Sequence, residues 1–510
     1  MKKLRLILGD QLNSEHSWFQ ETDENTVYLL AEMRQETDYV KHHIQKVVAF
    51  FLSMRNFSST LKRIGHQVAY FQINDANNLH DLDKIISFCI EKYKIEKFEY
   101  QLPDEYRLDE QLKTICSTLT IQSEAFDTEH FYTTRHELSD FFEGKKLLLM
   151  ENFYRNMRKK HHVLMDGSTP VGNQWNFDAD NRKKYKGEVP VPKEKIFHTV
   201  VSEVVSQINK TGITTFGNVD LHNFSWPTSR EQCLEVLDHF CKNLLKHFGD
   251  YEDAMHTDEK FLFHSRLSFA MNAKMLSPKE VIETVISHFH ANETEISISQ
   301  VEGFVRQILG WREYIRGIYW KEMPNYSKMN VLNNTNKLPD FFWTGKTKMN
   351  CMSHAINQSL DDAYALHIQR LMIIGNFTLL TQIHPDEVDS WYLGVYIDAI
   401  EWVEMPNTRG MSQYADGGII ATKPYVSSGS YINKMSNNCI KCEYNVKEKF
   451  GDKACPFNTL YWNFLDEKKE YFKGNQRMGM MLNLLNKINP EDLYRIKVKA
   501  NEIINNMDSY

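Results

Sequence analysis

Residues 364–407 read YALHIQRLMIIGNFTLLTQIHPDEVDSWYLGVYIDAIEWVEMPN. The first seventeen carry a strong helix pattern. His367, Arg370, Leu371, Ile374 and Thr378 fall at spacings 3, 4, 7 and 11 and so share one face. That face sets an imidazole and a guanidinium among apolar residues, and both groups cost free energy to bury unless something pairs with them. Asp389, Trp391, Tyr392, Asp398, Trp402, Glu404 and Asn407 follow closely. Carboxylates, an amide and redox-capable aromatics at this density suit a site for a large aromatic ligand with polar edges. A buried helix pair with satisfied polar residues would read the same way.

Working outward, 510 residues exceed what one hydrophobic core usually supports, so two or more domains are expected. Apolar content of 42% and charged content of 25% are those of a soluble globular protein. Aromatics reach 12%, which favours stacking surfaces or electron-transfer side chains, although a large helical core would also use them. A formal net charge of −7 excludes a globally basic nucleic-acid binder, so any such contact needs a local patch. The opening MKKLRLILGDQL is too short in apolar residues for a signal peptide, and no run suits a membrane span. Eight cysteines without an export signal argue against a disulfide framework and for a reducing cytoplasm.

The amino-terminal part alternates strand and helix patterns. LRLILG at 4–9, VYLLAEM at 27–33, QVAYFQI at 67–73, KFEYQL at 97–102 and a stretch near 119–126 read as strands. Helices are expected over Tyr39–Arg63 (with Gly65 as the stop), 81–93 and near 106–116. This alternation implies a parallel sheet with helices on both faces. Ligands of such sheets bind beyond the carboxyl ends of the strands, here Gly9–Gln11, Met33–Tyr39 and Pro103–Tyr106. No GxGxxG follows the first strand, so a single planar ligand fits better than a dinucleotide.

Residues 131–230 mix a helix near 137–161 with irregular stretches that would wrap or link domains. Arg155, Arg158, Lys159 and Lys160 form one basic cluster, and Arg182, Lys183, Lys184 and Lys186 another. Each reads as a solvated face or as a phosphate-backbone contact. Asp178 and Asp180 beside the second could recruit a divalent cation, Mg2+ being the candidate for DNA binding. From 231 onward helices dominate. In SPKEVIETVISHF, Ser277 would cap, Pro278 would open the helix and Glu280 would close the capping box, worth about 1 kcal/mol. In the helix near 302–320, Gln307, Gly310, Trp311 and Tyr314 share a face that suits a flat ring or ordinary core packing. Just before residue 277 lies HSRLS at 264–268, rich in hydroxyl and cationic groups.

Cys439, Cys442 and Cys455-Pro456 stand at a ligand spacing, with Cys351 the fourth candidate. Four thiolates suit a [4Fe–4S] cluster or a tetrahedral zinc. The three-plus-one grouping and the trailing proline lean toward iron–sulfur. Cys89, Cys116, Cys233 and Cys241 read as ordinary thiols.

Taken together, GDQL at 9–12, HSRLS at 264–268, GWREYIRGIYW at 310–320, LHIQRLMIIGNF at 366–377, WVEMPNTRGMSQYADGG at 402–418 and the four cysteines resemble the bacterial iron–sulfur branch of the photolyase/cryptochrome family, the prokaryotic (6-4) photolyases. The resemblance spans essentially the whole chain. It implies an α/β antenna domain at 1–130, a linker with a basic loop at 131–230, and an all-α catalytic domain at 231–510 holding FAD and the [4Fe–4S] cluster on Cys351, Cys439, Cys442 and Cys455. It further implies FAD contacts at His264, Ser265, Leu267, Ser268, Gln307, Arg312, Tyr314, Arg370, Asn376, Asp398 and Glu404, the last beside flavin N5. A 6,7-dimethyl-8-ribityllumazine antenna would sit at Asp10, Gln11, Glu36 and Tyr39. The implied activity is light-driven repair of (6-4) photoproducts in UV-damaged DNA by a monomer. His367 would donate the proton, and Tyr425 and Tyr431 would stack on the flipped bases. Trp343, Trp391 and Tyr392 would carry photoreduction. Ile400 stands where family members can have a further Tyr, leaving Tyr396 to substitute. The alternative within the family is a cryptochrome-like photoreceptor signalling without repair.

Overall fold

The computed structural model describes residues 1–510. Five short strands build one parallel sheet: β1 (Lys3–Leu6), β2 (Thr26–Ala31), β3 (Gln67–Phe71), β4 (Lys97–Gln101) and β5 (Gln122–Phe126). Their order is β3-β2-β1-β4-β5, with Leu4 beside Val27 on one side and Phe98 on the other. The chain reverses its direction of growth at β1, the point where ligands of such sheets bind. Helices α1 (Ile44–Arg63), α2 (Leu82–Tyr93) and α3 (Tyr106–Thr118) make the crossovers.

The period-two pattern sorts the sheet's faces. Leu4, Leu6, Leu29 and Phe98 enter a core of 18 residues closed by α2 and α3. Tyr28 and Leu30 point the other way, with α1, into a core of 112 residues continuous with the helical remainder. Each fully buried Leu or Ile contributes roughly 1.5–3 kcal/mol, so the larger core ties sheet and helices into one body.

Helix α1 starts at Ile44, five residues later than expected, because His42–His43 pair with Thr215–Phe216 as a two-residue strand. His43 Nδ1 then accepts from the Gln45 amide at 3.1 Å and caps the helix. The helix expected near 137–161 is two, Glu137–Phe141 and Met150–His161. At Ser277 the cap forms, Oγ accepting from the Glu280 amide at 3.1 Å, but the Glu280 carboxylate turns to Arg230 instead of closing the box.

The helical part contains wide π-turns at Arg306–Arg312, Arg370–Gly375 and Pro406–Ser412. Such turns insert a residue into the helical register and are frequent at functional sites. Two of them pack so closely that a Cβ on Gly375 would stand 2.0 Å from Ser412 Oγ. Only glycine admits that approach.

Candidate functional site

The π-turn at Arg370–Gly375 presents Arg370 to Asp398. Nη1 and Nη2 donate to Oδ1 and Oδ2 at 2.9 and 3.3 Å, the paired fork that suits a guanidinium and a carboxylate. Ser268 Oγ donates to Asp398 Oδ2 at 2.6 Å, and Asn272 Nδ2 donates to the Asp398 carbonyl at 2.7 Å. The Arg370 guanidinium also lies 3.8 Å from the Tyr396 ring centre. Asn376, wholly buried, exchanges hydrogen bonds with the Ser427 backbone. Glu404 is buried with Oε1 unpartnered, and burial pushes its carboxyl well up, Asp389 adding to the effect. Its neighbour Asp389, held by Arg409, is itself pushed up to about 7 by burial. An orphaned buried oxygen costs about 1–3 kcal/mol, so Glu404 is poised for a partner from outside the chain.

His367 is exposed, although protein atoms crowd around it. Burial, then the Arg370 charge, brings its imidazole down to about 4. His264 faces it and is brought to about 4 by burial and by His367. Tyr425 and Tyr431 are half-buried, their phenols pushed up by burial and touched by the charges of Asp253 and Arg182. Gln307 reaches Glu252 at 3.5 Å, Ser265 Oγ accepts from the Leu267 amide at 3.4 Å, and Leu267 is wholly buried.

Two residues of the expected set face elsewhere. Arg312 stacks on Phe131 and Trp402 and donates to His130 and the Met271 carbonyl, one layer behind Asp398. Tyr314 donates to the Leu148 carbonyl and packs among Phe142, Phe153 and Trp311. Across the π-turn at 306–312 Trp311 stays against Tyr314, and both Gly310 and Tyr314 pack on the 148–154 stretch, while Gln307 reaches Glu252.

A second cavity lies at the carboxyl ends of β1 and β2. Asp10, Glu36 and Tyr39 line it as expected, but Gln11 does not: its amide donates to the Gln101 carbonyl and accepts from Leu8, tying β1 to β4. Arg107 pairs with Glu36 at 2.7 Å and lies over the Tyr39 ring. Glu105, inside the expected strand end at 103–106, lines this cavity too, and so do Lys46, His42 and Ile400, which sequence reasoning missed in this role. They come from separate elements, with no local pattern to join them. Glu105 is pushed up to about 8 by burial, against the pull of Arg107, and Lys46 falls to about 8 by burial.

Cys351, Cys439, Cys442 and Cys455 surround a third, small hollow with Tyr444 and Phe457. No three His, Cys, Asp or Glu side chains converge as a single metal ion requires. Gly429 closes the hollow, since a Cβ there would stand 2.7 Å from Cys455 Sγ.

From Arg370 an aromatic path runs outward. Tyr392 donates to the Arg370 carbonyl at 2.6 Å, and Trp391 lies 5.5 Å from the Tyr392 ring and 5.8 Å from Tyr396. Trp391 Nε1 donates to the Phe342 carbonyl, and the next residue, Trp343, is 42% exposed.

The basic clusters are largely engaged. Arg158 is wholly buried and donates to the carbonyls of Val163, Leu164 and Trp175, so it braces the fold. Lys184 donates to the Asn433 carbonyl, bringing the second cluster beside Tyr431. Asp178 pairs with Arg182 and Arg306, which leaves no carboxylate pair at 178–180 for Mg2+.

With this geometry in hand, the comparisons place the protein. The fold matches that of a bacterial class III photolyase from Agrobacterium tumefaciens, with a TM-score of 0.55 and 13% identity over 85% of this chain and 86% of that one. It also matches a cryptochrome from Synechocystis, with a TM-score of 0.54 and 13% identity over 85% and 88%. The class is therefore the photolyase/cryptochrome fold. A family model described as deoxyribodipyrimidine photo-lyase-related protein matches residues 5–226. A relative from Agrobacterium fabrum, named a (6-4) photolyase, is 39% identical over 511 residues and all of both chains. A mimivirus protein of uncharacterised function is 36% identical over 21% of this chain and 80% of its own. The chain belongs to the photolyase-related family.

Proposed function

We propose that this protein repairs UV-damaged DNA in a light-driven reaction, acting on (6-4) photoproducts. The observation that carries this is full-length similarity to a relative named for that activity. The residues around Arg370 fit FAD: a paired guanidinium, an amide, hydroxyls and an orphaned carboxyl oxygen offer it polar edges. Reduced FAD, when bound, supplies the electron that blue light sends to the lesion.

The chain's own residues do the rest. Asp398 and Ser268 fix Arg370, which would otherwise be an uncompensated cation. His367 holds the proton to be given to the lesion. Its imidazole is neutral in the free protein at pH 7, because burial and Arg370 oppose charge there. A DNA phosphate near the cavity mouth supplies the opposite charge that raises its proton affinity. Tyr425 and Tyr431 stack on the flipped bases, at about 1–3 kcal/mol per base. Flipping itself costs a few kcal/mol, least for a damaged base.

The four cysteines fit a [4Fe–4S] cluster better than zinc, because they ring a hollow instead of converging on a point. Asp10, Glu36 and Tyr39 fit a lumazine antenna in a cavity with apolar walls and polar ends. Tyr392, Trp391 and Trp343 fit the photoreduction path. Residues 1–130, 131–230 and 231–510 serve as antenna domain, linker and catalytic domain.

The test is repair of a (6-4)-containing oligonucleotide by the purified protein, lit and dark. Repair only in blue light is expected. Bound flavin without repair would overturn the reading in favour of a photoreceptor.

A further inference from the structure

A cleft of about 470 Å³ opens beside the 264–268 segment. It is lined by residues 191–195, by Trp226 and Pro227, and by 258–266. Arg370, Asn376, Asp398 and Glu404 take no part in it, and of the residues expected at the flavin only His264 and Ser265 share its wall. Ser268 turns to Asp398, whereas Arg266, two residues earlier, turns into this cleft.

Arg266 forms its floor. The residue is 8% exposed, and its guanidinium lies between Trp226 and Phe261, 4.3 and 4.4 Å from the ring centres. Its Nε is sealed without a hydrogen-bond partner, as is the nearby His264 Nε2. The other cations of the cleft differ. Lys195 pairs with Glu235 and Lys260 with Asp362, while Lys193 is exposed at the rim. Glu194 and Asp258 are exposed at the rim, where water screens them.

A guanidinium carries five donors and stays charged, so leaving it buried without an acceptor is costly. The two aromatic faces compensate in part. The backbone adds a second cost. Arg266 has a φ of 56°, in the left-handed region, which disfavours a non-glycine residue by roughly 1–2 kcal/mol. The chain thus accepts strain to aim an unpartnered cation into an open cleft.

We propose that this cleft is a second ligand site, distinct from the flavin centre, which binds a phosphate group with Arg266 as its anchor. Both aromatic faces are covered by the guanidinium, so recognition rests on the oxyanion, whether from inorganic phosphate or from a phosphate monoester. Two parallel N–H···O bonds from an arginine are the usual form of such recognition.

The test uses the flavin-loaded protein, titrated with inorganic phosphate and separately with AMP at constant chloride-balanced ionic strength. Thermal melting and tryptophan emission are the readouts, since a ligand that binds only the folded state raises the melting temperature. A saturable rise is expected. Arg266→Gln should weaken it by about tenfold or more, with the flavin-to-protein ratio unchanged. Lys193→Gln, at the exposed rim, should change it far less. Equal affinity for the two probes assigns the site to free phosphate, and tighter AMP binding assigns it to an ester. Either supports the site. No saturable response in the unsubstituted protein would overturn it, even if Arg266→Gln failed to fold. Loss of flavin from a folded Arg266→Gln protein would also overturn it, because the cleft would then be part of the flavin site.

Discussion

The cavity at the sheet edge and the centre around Arg370 are built by different rules. At the sheet edge, parallel strands deliver Asp10, Glu36 and Glu105 to one place because strand ends line up in register. At the helical centre, Ser268, Arg370 and Asp398 come from separate segments and meet at a π-turn. The first arrangement is wide, and its ion pair, Arg107–Glu36, is about one-third exposed on each side. The second is closed, with Asp398 at 8% and Arg370 at 19%. A closed polar centre depends on each member far more than an open one does.

The sharpest break isolates chemistry at the helical centre from binding. His367→Asn keeps size and hydrogen bonding but removes the titrating group. Repair should fall by roughly 10²–10⁴, the range of general acid catalysis, while flavin absorbance stays intact. Retained repair would remove His367 from the proton role and reduce the centre to a binding pocket.

The next tests the energetic contrast itself. Asp398→Asn leaves Arg370 buried with a weaker partner, and breaking such a pair costs about 3 kcal/mol, the low end of the buried range because both groups keep some exposure. Glu36→Gln, at the open cavity, should cost under about 1 kcal/mol, as exposed pairs do. Denaturant midpoints measure both. Equal losses would mean the two regions are equally closed and would erase the comparison.

The same contrast explains what could be read in advance. The strands were legible because alternation such as Leu29 in one core and Leu30 in the other follows from the pleat. The helix cap at Ser277 followed from a side-chain oxygen one turn before the amide it accepts from. Arg370 and Asp398 stood out because their residue types are unusual among apolar neighbours, whereas Asn376 came only from the family resemblance. Tyr314, expected at the flavin only from the family resemblance, packs instead among Phe142, Phe153 and Trp311, surroundings that its place on a helix does not specify. Gln11 was misplaced because strand-end position says nothing about which way an amide turns. Lys46 and Arg266 were not legible as site residues, since the groups that line their cavities with them come from segments far away in the chain.

A smaller effect separates the regions by pH. Burial holds Glu105 protonated up to about 8, above its ordinary range near 4.5. An acid whose folded value is raised binds more protons folded than unfolded, so its contribution is full at low pH and is lost as pH rises through that window. Glu105→Gln should therefore flatten the decline of stability between pH 5 and 8. Melting temperatures across that range check it. An unchanged slope would mean that the Arg107 charge outweighs burial and that the sheet-edge cavity is effectively wet.

The least perturbing change concerns the path that leads out from the helical centre. Trp343 is 42% exposed, packs edge-on against Phe216 at 5.1 Å and has Lys41 Nζ 5.8 Å from its ring centre. Trp343→Phe keeps an aromatic ring in that place, and surface substitutions of this kind stay within about 0.5 kcal/mol. Phenylalanine is much harder to oxidise than tryptophan, so light-driven reduction of the oxidised protein should slow. Repair by chemically reduced protein should not change, because the electron then starts at the centre and never uses the outer path. Trp391, wholly buried and hydrogen-bonded to the Phe342 carbonyl, precedes Trp343 on this path and makes the control: its replacement should slow photoreduction at least as much. Unaltered photoreduction in Trp343→Phe would move the outer step to Tyr396, whose ring lies 5.8 Å from Trp391 and directly under the Arg370 guanidinium. That cation opposes positive charge on the ring, which is the physical reason for placing the exit at Trp343 instead.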